Sequence, residues 1–152
     1  AKGDVIIKGF EKSGMTMLGK YGKKLTVETR EFIRVVAGDK SYGIVVEIKE
    51  TSGSYPKSGK SFVDYDELDS LLKGVEYIRN VDKTASNLSE IEATFSTNGG
   101  LEVTAFTISG ELSYAIGVGR HSSVLIYLNS VDELSNFKKS VIAAKVKIDA
   151  IK

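Results

Sequence analysis

Two stretches of the chain carry apolar residues at helical spacing, and each follows a capping signal. Asp64 and Glu67 stand three residues apart before the first stretch, and Ser130 and Glu133 stand three apart before the second. This spacing is the capping box, in which both side chains bond backbone N–H groups of the first turn. The apolar positions are Leu68, Leu71, Leu72, Val75 and Ile78, then Leu134, Phe137, Val141, Ala144 and Ile148. We therefore predict two amphipathic helices.

The rest of the pattern is typical of strands joined by short turns. Alternating apolar and polar residues are clearest in 42–48 and 112–118. Asn98-Gly-Gly100 is a strong hairpin signal, and no helix is predicted between residues 90 and 128, so the strands should pair antiparallel. Further predictions are short strands at 5–10, 15–18 and 60–63, a turn at Ser13-Gly14, a bulge near Glu31, and a longest loop at 51–61.

The fold class that follows is α+β, in which an antiparallel β-meander plus a helix is repeated twice. Ser-Tyr at 41 and 113 is followed by Asp-Glu-Leu at 66 and 132, after 25 and 19 residues. A first loop that is six residues longer would explain the difference. We predict one domain over residues 1–152, with an internal pseudo-repeat of about 1–80 and 89–152.

Composition excludes several kinds of chemistry. The chain has no cysteine, so disulfides, thiolate catalysis and zinc–thiolate sites are excluded. No run of eighteen apolar residues is present, so no membrane span is expected. The sequence begins at Ala1, which fits a cytoplasmic protein that has lost its Met and equally an exported one after signal-peptide removal.

No segment supports a catalytic, cofactor or metal site. Gly53 to Ser61 resembles a phosphate-binding loop, but five residues separate Gly53 from Gly59 where the motif needs four, and Pro56 removes an N–H group. His121 is the single histidine, which leaves no two-histidine metal site. The carboxylates near residue 64 lack the glycine of an EF-hand loop and fit a helix N-terminus. They are Asp64, Asp66, Glu67 and Asp69.

Two basic clusters are candidates for anion or nucleic-acid binding. The net charge is +1, but residues 1–40 hold nine basic and five acidic side chains. An aromatic ring beside basic residues is how single strands are held. The candidates are Lys20, Tyr21, Lys23 and Lys24, with Arg120 and His121. The near-zero net charge argues against nucleic acid as the partner, and we expect oligo(dT) to bind no tighter than micromolar.

The element order resembles that of the Whirly/PC4-type single-stranded-DNA binders, although the Lys-Gly-Lys-Ala-Ala-Leu motif of Whirly proteins is absent. The segments Asp66–Ile78 and Phe95–Phe106 are similar to small bacterial proteins of unassigned function, a resemblance that implies no activity. We interpret the chain as a non-enzymatic binding or structural module. The alternatives are a single-stranded nucleic-acid binder and a small hydrolase or transferase. Ile148 and Ile151 could extend beyond the end of the sheet on which the C-terminal helix packs. In that case the helix could form a homodimer interface.

Overall fold

The computed structural model describes residues 3–51, 53 and 56–152. After the first strand, strands and helices follow each other in the order that the sequence pattern predicts. The strands are β1 Ile6–Leu18, β2 Lys23–Arg34, β3 Asp39–Glu50, β4 Ser58–Asp64, β5 Glu92–Ser96, β6 Glu102–Ile108, β7 Glu111–Val118 and β8 Val124–Tyr127. The helices are α1 Leu68–Arg79 and α2 Asp132–Ile151. Short 3₁₀ turns cover Lys20–Gly22, Tyr65–Glu67 and Arg120–Ser122.

The eight strands form two antiparallel sheets of four, in the orders β1-β2-β3-β4 and β5-β6-β7-β8. A helix follows each sheet along the chain. The predicted α+β class, with two successive strands-then-helix units, is therefore confirmed. No helix in the described part of the chain is long and apolar enough to cross a membrane.

The first strand differs from the prediction. Ser13-Gly14 does not turn the chain, because β1 runs unbroken from Ile6 to Leu18 with a register shift against β2 between Ser13 and Met17. Gly14 has a φ of +70°, and a Cβ built there would lie 2.2 Å from the Oγ of Ser140 on α2. Close packing of the helix therefore requires glycine and an irregular strand at this point. The bulge predicted near Glu31 is wrong, since β2 pairs with β3 without a shift.

The loop predictions are also partly wrong. β4 starts at Ser58, which shortens the connection that was predicted to be the longest. The longest segment between two regular elements is instead Asn80 to Ile91, between α1 and β5. Several residues of the β3–β4 connection, namely Ser52, Ser54 and Tyr55, lie outside the described residues.

The helix starts are only partly as predicted. Asp64 Oδ1 accepts a hydrogen bond from the Asp66 N–H at 2.9 Å, but it caps the 3₁₀ turn that leads into α1. Glu67 does not bond back to Asp64; its Oε2 accepts from the Asn98 N–H at 2.8 Å. In α2 the Ser130 side chain makes no cap, because the N-cap position is Val131. Neither predicted capping box therefore forms, although Asp64 still caps the turn that leads into α1.

Each helix packs against the sheet of the other half of the chain. α1 lies on β5 and β6, where the Phe95 ring covers Gly74, and α2 lies on β1 and β2. The stripe residues predicted from periodicity are buried, with Leu72 only partly so. One cluster of buried apolar side chains includes residues of both sheets and both helices. Ile148 is fully buried in this cluster, so it does not outrun its sheet, whereas Ile151 is exposed.

Ion pairs join the two helices, which run antiparallel. Lys138 Nζ lies 2.9 Å from Glu76 Oε2, and Arg79 Nε donates to Ser135 Oγ at 2.7 Å. The Lys138 ammonium, assisted by the side-chain amide of Asn80, lowers the pKa of Glu76 from its usual value of 4.5. A lowered folded-state pKa stabilises the fold above the unfolded value, and this stabilisation is lost as pH falls through the folded pKa.

We expect Glu76→Gln to lower the urea midpoint of unfolding at pH 7, and we expect the difference from the wild type to be smaller at about pH 3. The reason is that Glu76 takes up a proton as pH falls through its folded-state pKa, and the protonated side chain resembles glutamine. Urea titrations of both proteins at the two pH values test this. A difference that is as large at pH 3 as at pH 7 would mean that Glu76 acts through packing rather than charge.

Candidate nucleic-acid interface

The face of the first sheet that points away from the helices carries aromatic and basic side chains. Residues directly opposite each other in neighbouring strands share a face, so the register defines this surface. The helices cover the side that holds Leu25, Val27 and Ile44. The opposite side, here called face A, presents Lys8, Phe10, Lys12, Lys24, Thr26, Glu28, Arg30, Phe32, Gly43, Val45, Glu47, Lys49, Lys60 and Phe62.

Three phenylalanines from three strands lie on face A. The rings of Phe32 and Phe62 meet edge to face, with centroids 5.6 Å apart. Phe62 lies over Gly43, where a built Cβ would come within 2.5 Å of its Cζ atom. Phe10 is 66% exposed, and the Arg30 guanidinium stands 5.3 Å from its ring centroid. Face A therefore displays ring surface that a protein core would normally bury.

Face A is also positively charged. The register also places Arg34, Asp39 and Asp64 on this face, so seven basic side chains stand against Glu28, Asp39, Glu47 and Asp64. The basic residues are Lys8, Lys12, Lys24, Arg30, Arg34, Lys49 and Lys60. The corresponding surface of the second sheet, here called face B, carries three glutamates and no basic residue from β5–β8, all of which are described. The near-zero net charge of the chain therefore hides two surfaces of opposite sign.

The first predicted basic cluster is divided between two directions. Lys24 lies on face A, opposite Leu18 and Lys49. Lys23 turns towards the second sheet, where its Nζ donates to the Leu125 carbonyl at 2.8 Å. Tyr21, with a φ of +62°, sets its ring at 84° to that of Tyr127 with centroids 6.2 Å apart.

The second predicted cluster lies at the other end of β8. Arg120 and His121 are exposed in the 3₁₀ turn that precedes β8. Tyr21 instead contacts Tyr127, which is the last residue of β8. His121 has a φ of +58°. The structure therefore associates both clusters with β8 but places them at its opposite ends, and Lys20 is exposed in the Lys20–Gly22 turn.

The phenylalanines of face A are not among the candidate residues that the sequence indicates. Phe10 ends the predicted strand at 5–10, and neither the irregularity in β1 nor the register of β2 is visible in the local sequence. A signal was present in the alternation of Lys8, Phe10 and Lys12, which puts all three on one face of a strand.

Segments that resemble other chemistry take structural roles. Gly59 to Ser61 of the phosphate-loop-like segment belong to β4, and Ser61 Oγ accepts a hydrogen bond from the Gly119 N–H at 2.9 Å. Of the carboxylates near residue 64, Asp69 faces Lys145 Nζ at 3.8 Å on the neighbouring helix. These contacts connect the two halves of the chain.

Comparison with protein-family models, with curated proteins and with solved structures finds no match to this chain.

Proposed function

We propose that the chain is a non-catalytic module that binds single-stranded nucleic acid on face A. The observation that carries this proposal is the combination of exposed rings and basic side chains on one sheet surface. Bases stack on aromatic rings whatever their sequence, and lysine and arginine neutralise the phosphates between them. A face with both features suits a flexible single strand, whose unpaired bases can reach the rings.

The arrangement of face A also sets the expected strength. Arg30 is already engaged, because its Nε donates to Glu28 Oε1 at 2.6 Å. Lys49 Nζ lies 3.7 Å from Glu47 Oε1, and this carboxylate partly neutralises the positive charge that Lys49 offers to a phosphate. Lys8, Lys12, Lys24 and Lys60 remain as the main phosphate contacts. Binding should therefore be micromolar at low salt, with a slope of log K against log salt of about −3 if four phosphates are neutralised.

Anisotropy titrations of labelled oligo(dT) at about 50 and 200 mM salt test this proposal. We expect Phe10→Ala to weaken binding by roughly 5- to 100-fold, which corresponds to the loss of one stacked base. Tyr77→Ala is the matched control, because Tyr77 is also a highly exposed aromatic residue but lies on α1. The double variant Lys8→Ala/Lys12→Ala should reduce the salt slope by about 1.4.

Two results would contradict the assignment. One is equal weakening by Phe10→Ala and Tyr77→Ala, which would mean that binding does not use face A. The other is an unchanged salt slope in the double lysine variant while Lys73→Ala on α1 lowers it. A wild-type protein that does not bind oligo(dT) at low salt would remove nucleic acid as the ligand.

A further inference from the structure

Face B contains a cavity of about 320 Å³. It lies over β7, whose outward-facing residues Ser113, Ala115 and Gly117 are small. Larger side chains stand on both sides: Thr104 and Phe106 on β6, and Leu125 and Tyr127 on β8. The cavity therefore exists because the outward-facing side chains of β7 are short and those of β6 and β8 are longer.

The two sheets can be aligned on the Ser-Tyr pair that β3 and β7 share. Ser41 pairs with Phe32 in the first sheet, and Ser113 pairs with Phe106 in the second. Arg30 lies two residues before Phe32 on β2, and Thr104 lies two residues before Phe106 on β6.

The same alignment places an acid at the next outward position in both sheets. Glu28 pairs with Val45 in the first sheet, and Glu102 pairs with Gly117 in the second. Both sheets thus have phenylalanine and glutamate at matching outward positions. The residue between them is arginine on face A and threonine on face B.

On face A the chain fills this position itself. The Arg30 guanidinium bonds Glu28 and stands over the Phe10 ring. The space that remains beside Arg30 and Glu28 is only about 50 Å³. On face B Thr104 ends at its hydroxyl, which shares a 3.0 Å hydrogen bond with Thr94, and the larger cavity remains open. Glu28, at the position that Glu102 takes on face B, is therefore already bonded to an arginine side chain of the same chain.

The groups around the cavity suit a guanidinium ion. Glu102 accepts hydrogen bonds from Ser122 Oγ and from Ser96 Oγ, and each carboxylate oxygen can accept another. The rings of Phe106 and Tyr127 lie 6.2 Å apart at the cavity and offer faces for a planar cation. Glu92, directly opposite Phe106, adds a second negative charge. A guanidinium can bond a carboxylate through two parallel N–H groups while its plane stacks on a ring, whereas an ammonium acts as a compact point charge.

We propose that this cavity binds an arginine side chain of a peptide or protein partner. The guanidinium lies between Glu102 and the Phe106 and Tyr127 rings. The proposal concerns face B and stands independently of nucleic-acid binding on face A.

The test is an NMR titration of the ¹⁵N-labelled chain with acetyl-Gly-Arg-Gly-amide, and with the matching citrulline and lysine peptides. We expect amide shifts centred on Thr104, Phe106 and Ala115, with a dissociation constant of about 1 mM for one anchored side chain. The citrulline and lysine peptides should bind at least tenfold more weakly.

Two variants examine the site itself. Thr104 lines the cavity, so Thr104→Arg should fill it from within and weaken binding of the arginine peptide at least tenfold. Ser70→Arg, which adds the same charge on the exposed side of α1, should leave binding unchanged. Glu102→Gln keeps the volume and should also weaken binding at least tenfold, which provides a second result if Thr104→Arg does not fold.

The proposal is overturned if the lysine peptide binds as tightly as the arginine peptide, because the cavity would then respond to charge alone. It is also overturned if the shifts lie outside face B, or if folded Thr104→Arg or Glu102→Gln binds the arginine peptide as tightly as the wild type.

Discussion

Leu71→Ala and Leu134→Ala are each expected to lower the free energy of unfolding by about 2–5 kcal/mol. Both side chains are fully buried, one on each helix. Because α1 packs on the second sheet and α2 on the first, each leucine contributes to contacts between the two halves. Truncation leaves a cavity in a core that both halves share, and neither half can close it alone.

Urea titrations monitored by circular dichroism measure this effect. Leu88→Ala is the matched control, since Leu88 is 76% exposed in the segment between α1 and β5, and its midpoint should stay close to that of the wild type. Two separate transitions in Leu134→Ala would show that the halves unfold independently. Midpoints equal to that of the wild type would show that the helices contribute little to the core.

The helical stripes could be predicted because they depend on local periodicity. Leu68, Leu71 and Val75 repeat at the spacing of one helix face, and any sheet that receives this face buries them. Periodicity does not say which sheet receives the helix. The exchange of helices between the halves depends on contacts between residues far apart in sequence, such as Gly14 with Ser140 and Gly74 with Phe95.

The capping residues show how tertiary contacts override a local motif. Glu67 has the right spacing from Asp64 for a capping box, but its carboxylate instead accepts a hydrogen bond from the Asn98 N–H. Glu133 also forms no capping box, but its partner is local: its Oε1 accepts from the Asn129 side-chain amide at 3.0 Å, and Ser130 makes no cap. Local rules predict that helices begin here, whereas the partner of Glu67 depends on a contact between residues far apart in sequence.

The candidate site was less predictable than the fold. The segment from Lys20 to Lys24 is a candidate because its basic residues and a tyrosine are adjacent in sequence. The rings of face A come from three different strands, and only the register brings Phe10, Phe32 and Phe62 to one surface. Strand alternation assigns each ring to one side of its own strand. It does not show whether Ser13-Gly14 is a turn or an irregularity within one long strand.

Gly99→Ala is expected to destabilise the fold by about 1–3 kcal/mol or more, although it adds only one methyl group. A Cβ built at Gly99 would lie 2.1 Å from the carbonyl oxygen of Phe62, which is backbone and cannot rotate away. The turn would have to move from β4, and the hydrogen bond from the Asn98 N–H to Glu67 would lengthen with it. The contact joins the two halves, so its loss should also loosen α1.

Gly9→Ala is the matched control for this substitution. Its Cβ would meet only the Glu31 side chain, at 3.6 Å, and its φ is not positive. Because alanine restricts the unfolded chain more than glycine does, Gly9→Ala should leave the urea midpoint unchanged or raise it slightly. Amide exchange should be faster in the first turn of α1 in Gly99→Ala and not in Gly9→Ala. Equal midpoints for the two variants would mean that the Asn98-Gly-Gly turn can move away from β4 at little cost, so that contact between the halves would rest on the helices alone.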